Sequence, residues 1–270
     1  MNYLVNSTDL TNIANSIRTK KGSVNTMTVA QMPSEIASIP SGGGSVDYLE
    51  KLLNGTLTSY VVPDTVTAIP DSAFYGIRSL TSITLPSTVR RFGNNAFNQT
   101  NLTSIVMPSE MDFIGGQAFF GCNQMTTATF PTVLTASGTN KLNTNCFYMC
   151  HSLITVNNFN LSTWWPSGQR AYVHQNFFRE TALVGDIYVP DSATLEDYSF
   201  YNSSSTGILS IHLSNASSDP EELESDYNFG DSCFYASHCR LIVPYSSDHS
   251  ILSAYQTTFP TWSSIMIEEN

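Results

Sequence analysis

A 22-residue repeat is the feature of this sequence that most constrains its fold. Residues 80–101 and 102–123 read LTSITLPSTVRRFGNNAFNQTN and LTSIVMPSEMDFIGGQAFFGCN, two versions of one pattern. The matching positions are Leu80, Ile83, Leu85, Pro86, Val89, Gly93, Ala96 and Phe97, and then Leu102, Ile105, Met107, Pro108, Met111, Gly115, Ala118 and Phe119. A repeat of this length indicates a solenoid, in which each coil buries its apolar face against the next coil.

Each coil is predicted to begin with a short strand. Ile83 and Leu85 are two residues apart and therefore point to one side of the strand, which ends at Pro86 because proline cannot donate to a ladder hydrogen bond. We expect strands at 83–85, 105–107, 128–130, 187–189, 211–213 and 241–243. The phenylalanines of the repeat are expected to stack as one buried column, namely Phe74, Phe97, Phe119, Phe147, Phe200 and Phe234.

The repeat extends over most of the chain. Further coils begin at Leu57, Met125, Leu153 and Leu183 and near Ile208. The pattern predicts an N-terminal helical module at 1–39, a Gly/Ser linker at 40–45, an N-terminal cap at 46–56, a solenoid of about seven coils at 57–240 and a C-terminal cap at 241–270.

The coils resemble the BspA-like class of leucine-rich repeats, whose pattern is LxxIxIPxxVxxIGxxAFxxC. The resemblance covers residues 57–270. It implies an α+β solenoid with a parallel sheet on one face and irregular return segments. The helical spacing of Leu10, Ile13 and Ile17 adds short N-terminal helices to this fold. Adhesion at bacterial surfaces is a common role of such repeats.

The N-terminal module resembles a short module of tail-associated proteins from phages and prophages of Gram-positive gut bacteria. The resemblance is carried by Ile13, Ala14, Ile17, Arg18, Lys20, Gly22, Met27, Thr28, Gln31, Met32, Pro33, Glu35, Ile36 and Ile39. It implies attachment to other virion tail proteins. The module is too small for a core of its own, so we expect its apolar residues to mediate assembly into a homo-oligomer, with a trimer favoured. These residues are Leu10, Ile13, Ile17, Ile36 and Ile39.

Charge limits the possible partners. The formal net charge of −11 disfavours nucleic acid and anionic membrane surfaces, which it repels. The sequence also has no apolar run near the roughly 20 residues that span a bilayer.

No cofactor, metal site or catalytic site is predicted. The groups Cys146-x-x-x-Cys150-His151 and Cys233…His238-Cys239 could bind zinc, but the repeat places most of these cysteines at core positions. Neither a G-x-S-x-G nor an H-E-x-x-H motif occurs, so the protein is expected not to be an enzyme. The acidic residues Glu221, Glu222, Glu224 and Asp226 are interpreted as a solvated loop, with a weak calcium site as the alternative.

Two candidate binding surfaces emerge. The first is the coil-five insertion LSTWWPSGQRAYVH, residues 161–174. On an extended segment its adjacent tryptophans point opposite ways, so one could pack while the other binds; the alternative is that both close the core. Its candidate residues are Trp164, Trp165, Gln169, Arg170, Tyr172 and His174. The second is a ladder on the sheet face, composed of Thr84, Val106, Thr129, Asn157, Tyr188 and His212.

These features predict a non-enzymatic virion component of a phage tail or baseplate, acting as an adhesin or receptor-binding protein. Its ligand would be a glycan or protein of the bacterial host surface. The alternative is a leucine-rich repeat adhesin on a bacterial cell surface that binds host or matrix proteins.

Overall fold

A computed structural model describes residues 51, 55–135, 142–165, 169–201, 207–230, 232–234 and 239–269. These residues form a solenoid in which every strand pairs in parallel with its counterpart in a neighbouring coil. The predicted N-terminal module and linker, and most of the predicted N-terminal cap, lie outside the described residues.

One strand from each coil contributes to a continuous surface, here called the front sheet. Its strands are β1 (Ser59–Val61), β3 (Ser82–Thr84), β5 (Ser104–Val106), β8 (Thr127–Thr129), β10 (Thr155–Asn157), β12 (Gly185–Val189), β14 (Leu209–Leu213), β16 (Cys239–Val243) and β17 (Met266–Glu268). Where regular pairing is interrupted, single backbone hydrogen bonds continue the surface, as from Thr103 N to Thr81 O (3.1 Å) and from Val184 N to Ile154 O (3.2 Å).

A further set of strands, each two or three residues long, lines a second side of the solenoid. They are β2 (Ala68–Ile69), β4 (Arg91–Phe92), β6 (Glu110–Met111), β7 (Phe113–Ile114), β9 (Val133–Leu134), β11 (Ala171–Val173), β13 (Ala193–Leu195) and β15 (Tyr227–Phe229). The helices are α1 (Leu161–Trp164), α2 (Pro220–Asp226), α3 (Ser250–Thr258) and a 3₁₀ helix at Pro260–Ile265. Because α3 and the 3₁₀ helix pack against β16 and the 3₁₀ Trp262 ring meets Phe234, these helices close the C-terminal end.

The predicted phenylalanine column is confirmed, and it contains one member more than expected. Successive ring centroids are 4.9–5.7 Å apart from Phe74 through Phe200, and 6.4 Å apart at the last pair. The additional ring is Phe178, which lies between Phe147 and Phe200. All of these rings are at most 2% exposed, so the column forms the centre of the core.

The turns around this column form a ladder of their own. Phe74 N donates to Ala96 O (2.7 Å), and Phe97 N donates to Ala118 O (2.8 Å). The residue two positions before each column phenylalanine has a positive φ, as at Asn95 (57°). Asparagine tolerates this conformation better than most residues do, and it has this place in several coils.

Two expectations about local structure are wrong. All six predicted strands begin one or two residues earlier than predicted, and the first three also end one residue earlier, as at Ser82–Thr84 instead of 83–85. There the outward-facing Ser82 joins the ladder and Leu85 leaves it before the proline. The last three end at the predicted residues Val189, Leu213 and Val243. The acidic segment is also not a loop. Pro220 begins helix α2, whose first turn is capped by the Asp219 carboxylate accepting a hydrogen bond from Glu221 N (2.9 Å).

Candidate functional site

Both tryptophans of the coil-five insertion belong to the core. Trp164 and Trp165 are 1% and 3% exposed, and the indole of Trp164 donates to Pro131 O (3.1 Å). The expectation of an extended segment with oppositely directed rings is wrong, because Asn160 caps a short helix that turns both rings inward. The structure therefore favours the packing alternative for these two residues.

The end of the same insertion lies at the surface. Tyr172 is half-buried in β11, and the Nδ1 of His174 is 3.1 Å from the Glu196 carboxylate of the next coil. The Arg170 guanidinium donates to Ala193 O (3.4 Å) and to Ser225 O. Gln169 is exposed. Arg170 thus connects coil five with helix α2 across the strand of coil six.

Coil six is short between two longer neighbours, and this leaves a groove, here called the coil-six groove. Coil five carries the aromatic insertion and coil seven carries α2, whereas coil six passes directly from β12 to β13. The groove is open, has a volume of about 360 Å³ and is lined by Gln175, Thr194, Leu195, Glu196, Asp197, Asn228 and Gly230.

Thr194 forms the floor of the groove. In the paired strands it lies between Tyr172 and Asn228, in register with both, and these larger neighbours leave it only 8% exposed. Its hydroxyl has no hydrogen bond to another residue of the described chain. The sequence alone did not indicate Thr194, because only the register shows that the two insertions flank it.

Carboxylates dominate the electrostatics of this end of the molecule. Fourteen of the 22 acidic residues, but one of the 11 Lys and Arg residues, lie within 180–269. Glu196 and Asp197 line the groove itself. The Glu196 carboxylate is held in place because its Oε2 also accepts a hydrogen bond from Gln175 N (3.0 Å).

The cysteines are core residues. All five are buried free thiols, and burial raises the pKa of Cys233 to about 12 and that of Cys146 further. Cys239, which the repeat did not explain, faces inward at the start of β16. Within the part of the chain that the structure describes, no three His, Cys, Asp or Glu side chains group as metal ligands do.

The predicted front-sheet ladder lies on the outer side of its strands. Val106 and Tyr188 are 66% and 57% exposed, Thr84 and Asn157 are exposed, and Thr129 is half-buried. His212 is half-buried, because its ring stacks on Tyr188 (4.5 Å between centroids) and its Nε2 lies 2.9 Å from Asp186 Oδ1. A binding role for this ladder stays a prediction.

The coils match the model of a known protein family. The model for the BspA type leucine rich repeat region matches six copies, at residues 52–164 and 137–208, which is more than half of the chain. The chain belongs to this family. No curated protein matches it.

Two solved structures of leucine-rich repeat proteins are similar to this chain. A leucine rich cell surface protein from Faecalibacterium prausnitzii A2-165 is 20% identical over 73% of the chain, with a TM-score of 0.39. A leucine-rich repeat protein from Bacteroides ovatus ATCC 8483 is 19% identical over 77%, with a TM-score of 0.43. The chain covers 44% and 54% of their respective lengths. None of the helices in the described segments is long and apolar enough to cross a membrane.

Proposed function

We propose that this BspA-type chain is a non-enzymatic recognition protein at a bacterial cell surface, where it adheres to another surface through the coil-six groove. The observation that carries the proposal is the groove itself, in which two insertions flank one short coil of a regular scaffold. Binding sites are disproportionately found on such irregular segments of rigid scaffolds. Membership of the BspA family supports an adhesive role.

The regular coils on either side keep the groove residues in fixed positions. The phenylalanine column and the turn ladder hold each coil at a fixed distance from the next. The groove residues are therefore positioned by paired strands, and a preorganised site loses less conformational entropy on binding than a mobile one does.

Adhesion of the labelled full-length chain to bacterial cells, epithelial cells and immobilised matrix proteins tests the proposal. Asn228→Trp fills the groove at an exposed position, and we expect it to weaken adhesion at least tenfold. The control is Asn123→Trp, the same substitution at an exposed turn position outside both candidate binding surfaces, which should leave adhesion unchanged. Absence of adhesion by the unmodified chain, or equal adhesion by both variants, would contradict the proposal.

A second candidate function is adhesion as part of a phage tail, with residues 1–39 attached to other virion proteins. The sequence motif around Arg18, Lys20, Gly22 and Glu35 favours it. Immunogold labelling after prophage induction separates the two locations. Label on released tails supports the virion, and label on the cell envelope supports the surface protein.

A further inference from the structure

We infer that the ligand of the coil-six groove is a short neutral saccharide, an inference that rests on the proposed function because it concerns the same site. The first observation is the Thr194 hydroxyl. Thr194 lies at the groove floor and is 8% exposed as a residue. Its hydroxyl has no hydrogen-bonding partner among the described residues. The hydroxyl oxygen itself is open to the groove and not enclosed in the core, so the floor offers a ligand one donor and one acceptor.

The walls carry the complementary groups. Gln175 and Asn228 line the groove with amides, which donate and accept hydrogen bonds. Glu196 and Asp197 contribute carboxylates, which accept only. The contacts of Glu196 with His174 and with Gln175 N both use Oε2, which leaves the lone pairs of Oε1 for a ligand. Sugar hydroxyls both donate and accept, and therefore match this mixture.

The charge of the groove excludes acidic sugars. Two carboxylates and no Lys or Arg lie among the residues that line it. The nearby Arg170 guanidinium already donates to Ala193 O and Ser225 O. Uronic and sialic acids would place a third carboxylate beside Glu196 and Asp197, whereas a neutral sugar hydroxyl donates to them in a charge-assisted hydrogen bond.

Size and shape agree with a short segment of a glycan chain. The volume of about 360 Å³ is near the lower end of the roughly 300–1,000 Å³ typical of small-molecule pockets. The groove is open, so a longer glycan can continue beyond it. The half-buried ring of Tyr172, adjacent to Thr194 in the sheet, gives the margin an apolar surface for the C–H groups of a sugar.

An array of neutral, amino-bearing and acidic glycans, probed with the full-length chain, tests this inference. The neutral glycan with the strongest signal is then titrated by calorimetry. Thr194→Val removes the hydroxyl and keeps the shape, and we expect it to weaken binding at least tenfold. The matched control is Thr65→Val at an exposed turn position outside both candidate binding surfaces, which should bind as the unmodified chain does.

The outcomes separate this inference from the proposed function. No neutral glycan bound, equal binding by Thr194→Val, or equal affinity for a galacturonic acid oligomer would each overturn the saccharide inference. Stronger binding of a lysine-rich peptide than of any neutral glycan would also overturn it, in favour of a basic protein ligand. If adhesion to cells persists after enzymatic deglycosylation and still requires an open groove, the proposed function stands and the saccharide inference fails.

Discussion

At the scale of single residues, the phenylalanine column concentrates the packing energy of the solenoid. Phe119 stacks between Phe97 (5.2 Å) and Phe147 (4.9 Å) and meets the edge of Phe92. One side chain therefore supports three coils, and removing it leaves a cavity that the ladder of backbone hydrogen bonds prevents from collapsing.

We predict that Phe119→Ala lowers the free energy of unfolding by ~3–5 kcal/mol, measured by urea denaturation. Val106→Ala in the same coil is the control, because Val106 is 66% exposed and loses little buried surface. A cost for Phe119→Ala no larger than that of the control would contradict the stacked core.

The Asp112 carboxylate makes a pH-dependent contribution to the stability of the fold. The Thr135 hydroxyl donates a hydrogen bond to it (2.7 Å), and the Arg90 guanidinium lies 3.1 Å away. These contacts, of which the Thr135 hydrogen bond has the largest effect, hold the pKa of Asp112 below its usual value. Desolvation of the carboxylate opposes them. A carboxylate with a lowered pKa stabilises the fold above its unfolded pKa, and this contribution is lost as the pH falls through the folded pKa.

Asp112→Asn should therefore lower the melting temperature at pH 7, and the difference from the unmodified protein should shrink below about pH 4. Thr135→Val, which removes one of the two partners, should show a smaller change of the same sign. A difference for Asp112→Asn that stays constant from pH 7 to pH 3 would contradict the assignment.

At the scale of the coil, the close approach of neighbouring turns requires glycine. A Cβ on Gly115 would lie 2.5 Å from the carbonyl carbon of Gly93, whereas a Cβ on Gly116 would find its nearest atom at 3.4 Å. The two adjacent glycines therefore differ in function, since one sets the spacing between coils and the other does not.

We expect Gly115→Ala to destabilise the protein by at least ~1–3 kcal/mol, because a backbone atom has to move. Gly116→Ala should change stability by less than about 1 kcal/mol. Thermal unfolding of the two variants gives the comparison, and equal melting temperatures would show that the coils are not in close contact at Gly115.

The repeat made the coils predictable, but the groove required the three-dimensional register. Ile83, Pro86 and Phe97 recur at fixed spacing, so the strands and the core column followed from periodicity. Phe178 was not assigned to the column because coil five contains two adjacent phenylalanines. The extended conformation predicted for the tryptophan pair is wrong, whereas the packing alternative holds, because the Asn160 cap begins a short helix that turns both rings inward.

Two of the predicted site residues lie next to the coil-six groove, and their binding role stays a prediction. Tyr172 pairs with Thr194 and His174 lies beside Glu196, and the sequence indicates both as aromatic or polar residues on an insertion. The sequence does not indicate Thr194 and Asn228 as a pair, because it does not show that the two coils lie side by side at these positions. They become a site only when β11, β13 and β15 pair and place them side by side.

At the scale of the whole molecule, we predict that the chain separates assembly from recognition. The apolar residues Leu10, Ile13 and Ile17 belong to a module whose partner we predict to be other chains. We expect a chain lacking residues 1–39 to keep the melting temperature of the solenoid and to become monomeric, as measured by light scattering. An unchanged oligomeric state after this deletion would contradict the assembly role.

The central claim is that the core of coil five supports the fold whereas the coil-six groove binds. The most direct test measures melting temperature and surface adhesion together for Trp164→Ala and Asn228→Trp in the full-length chain. Because Trp164 is buried against Phe130 and Phe159, its loss should lower the melting temperature and leave adhesion per folded molecule unchanged. Asn228→Trp should leave the melting temperature unchanged and reduce adhesion at least tenfold. The reverse pattern, with adhesion lost in Trp164→Ala and retained in Asn228→Trp, would contradict the account.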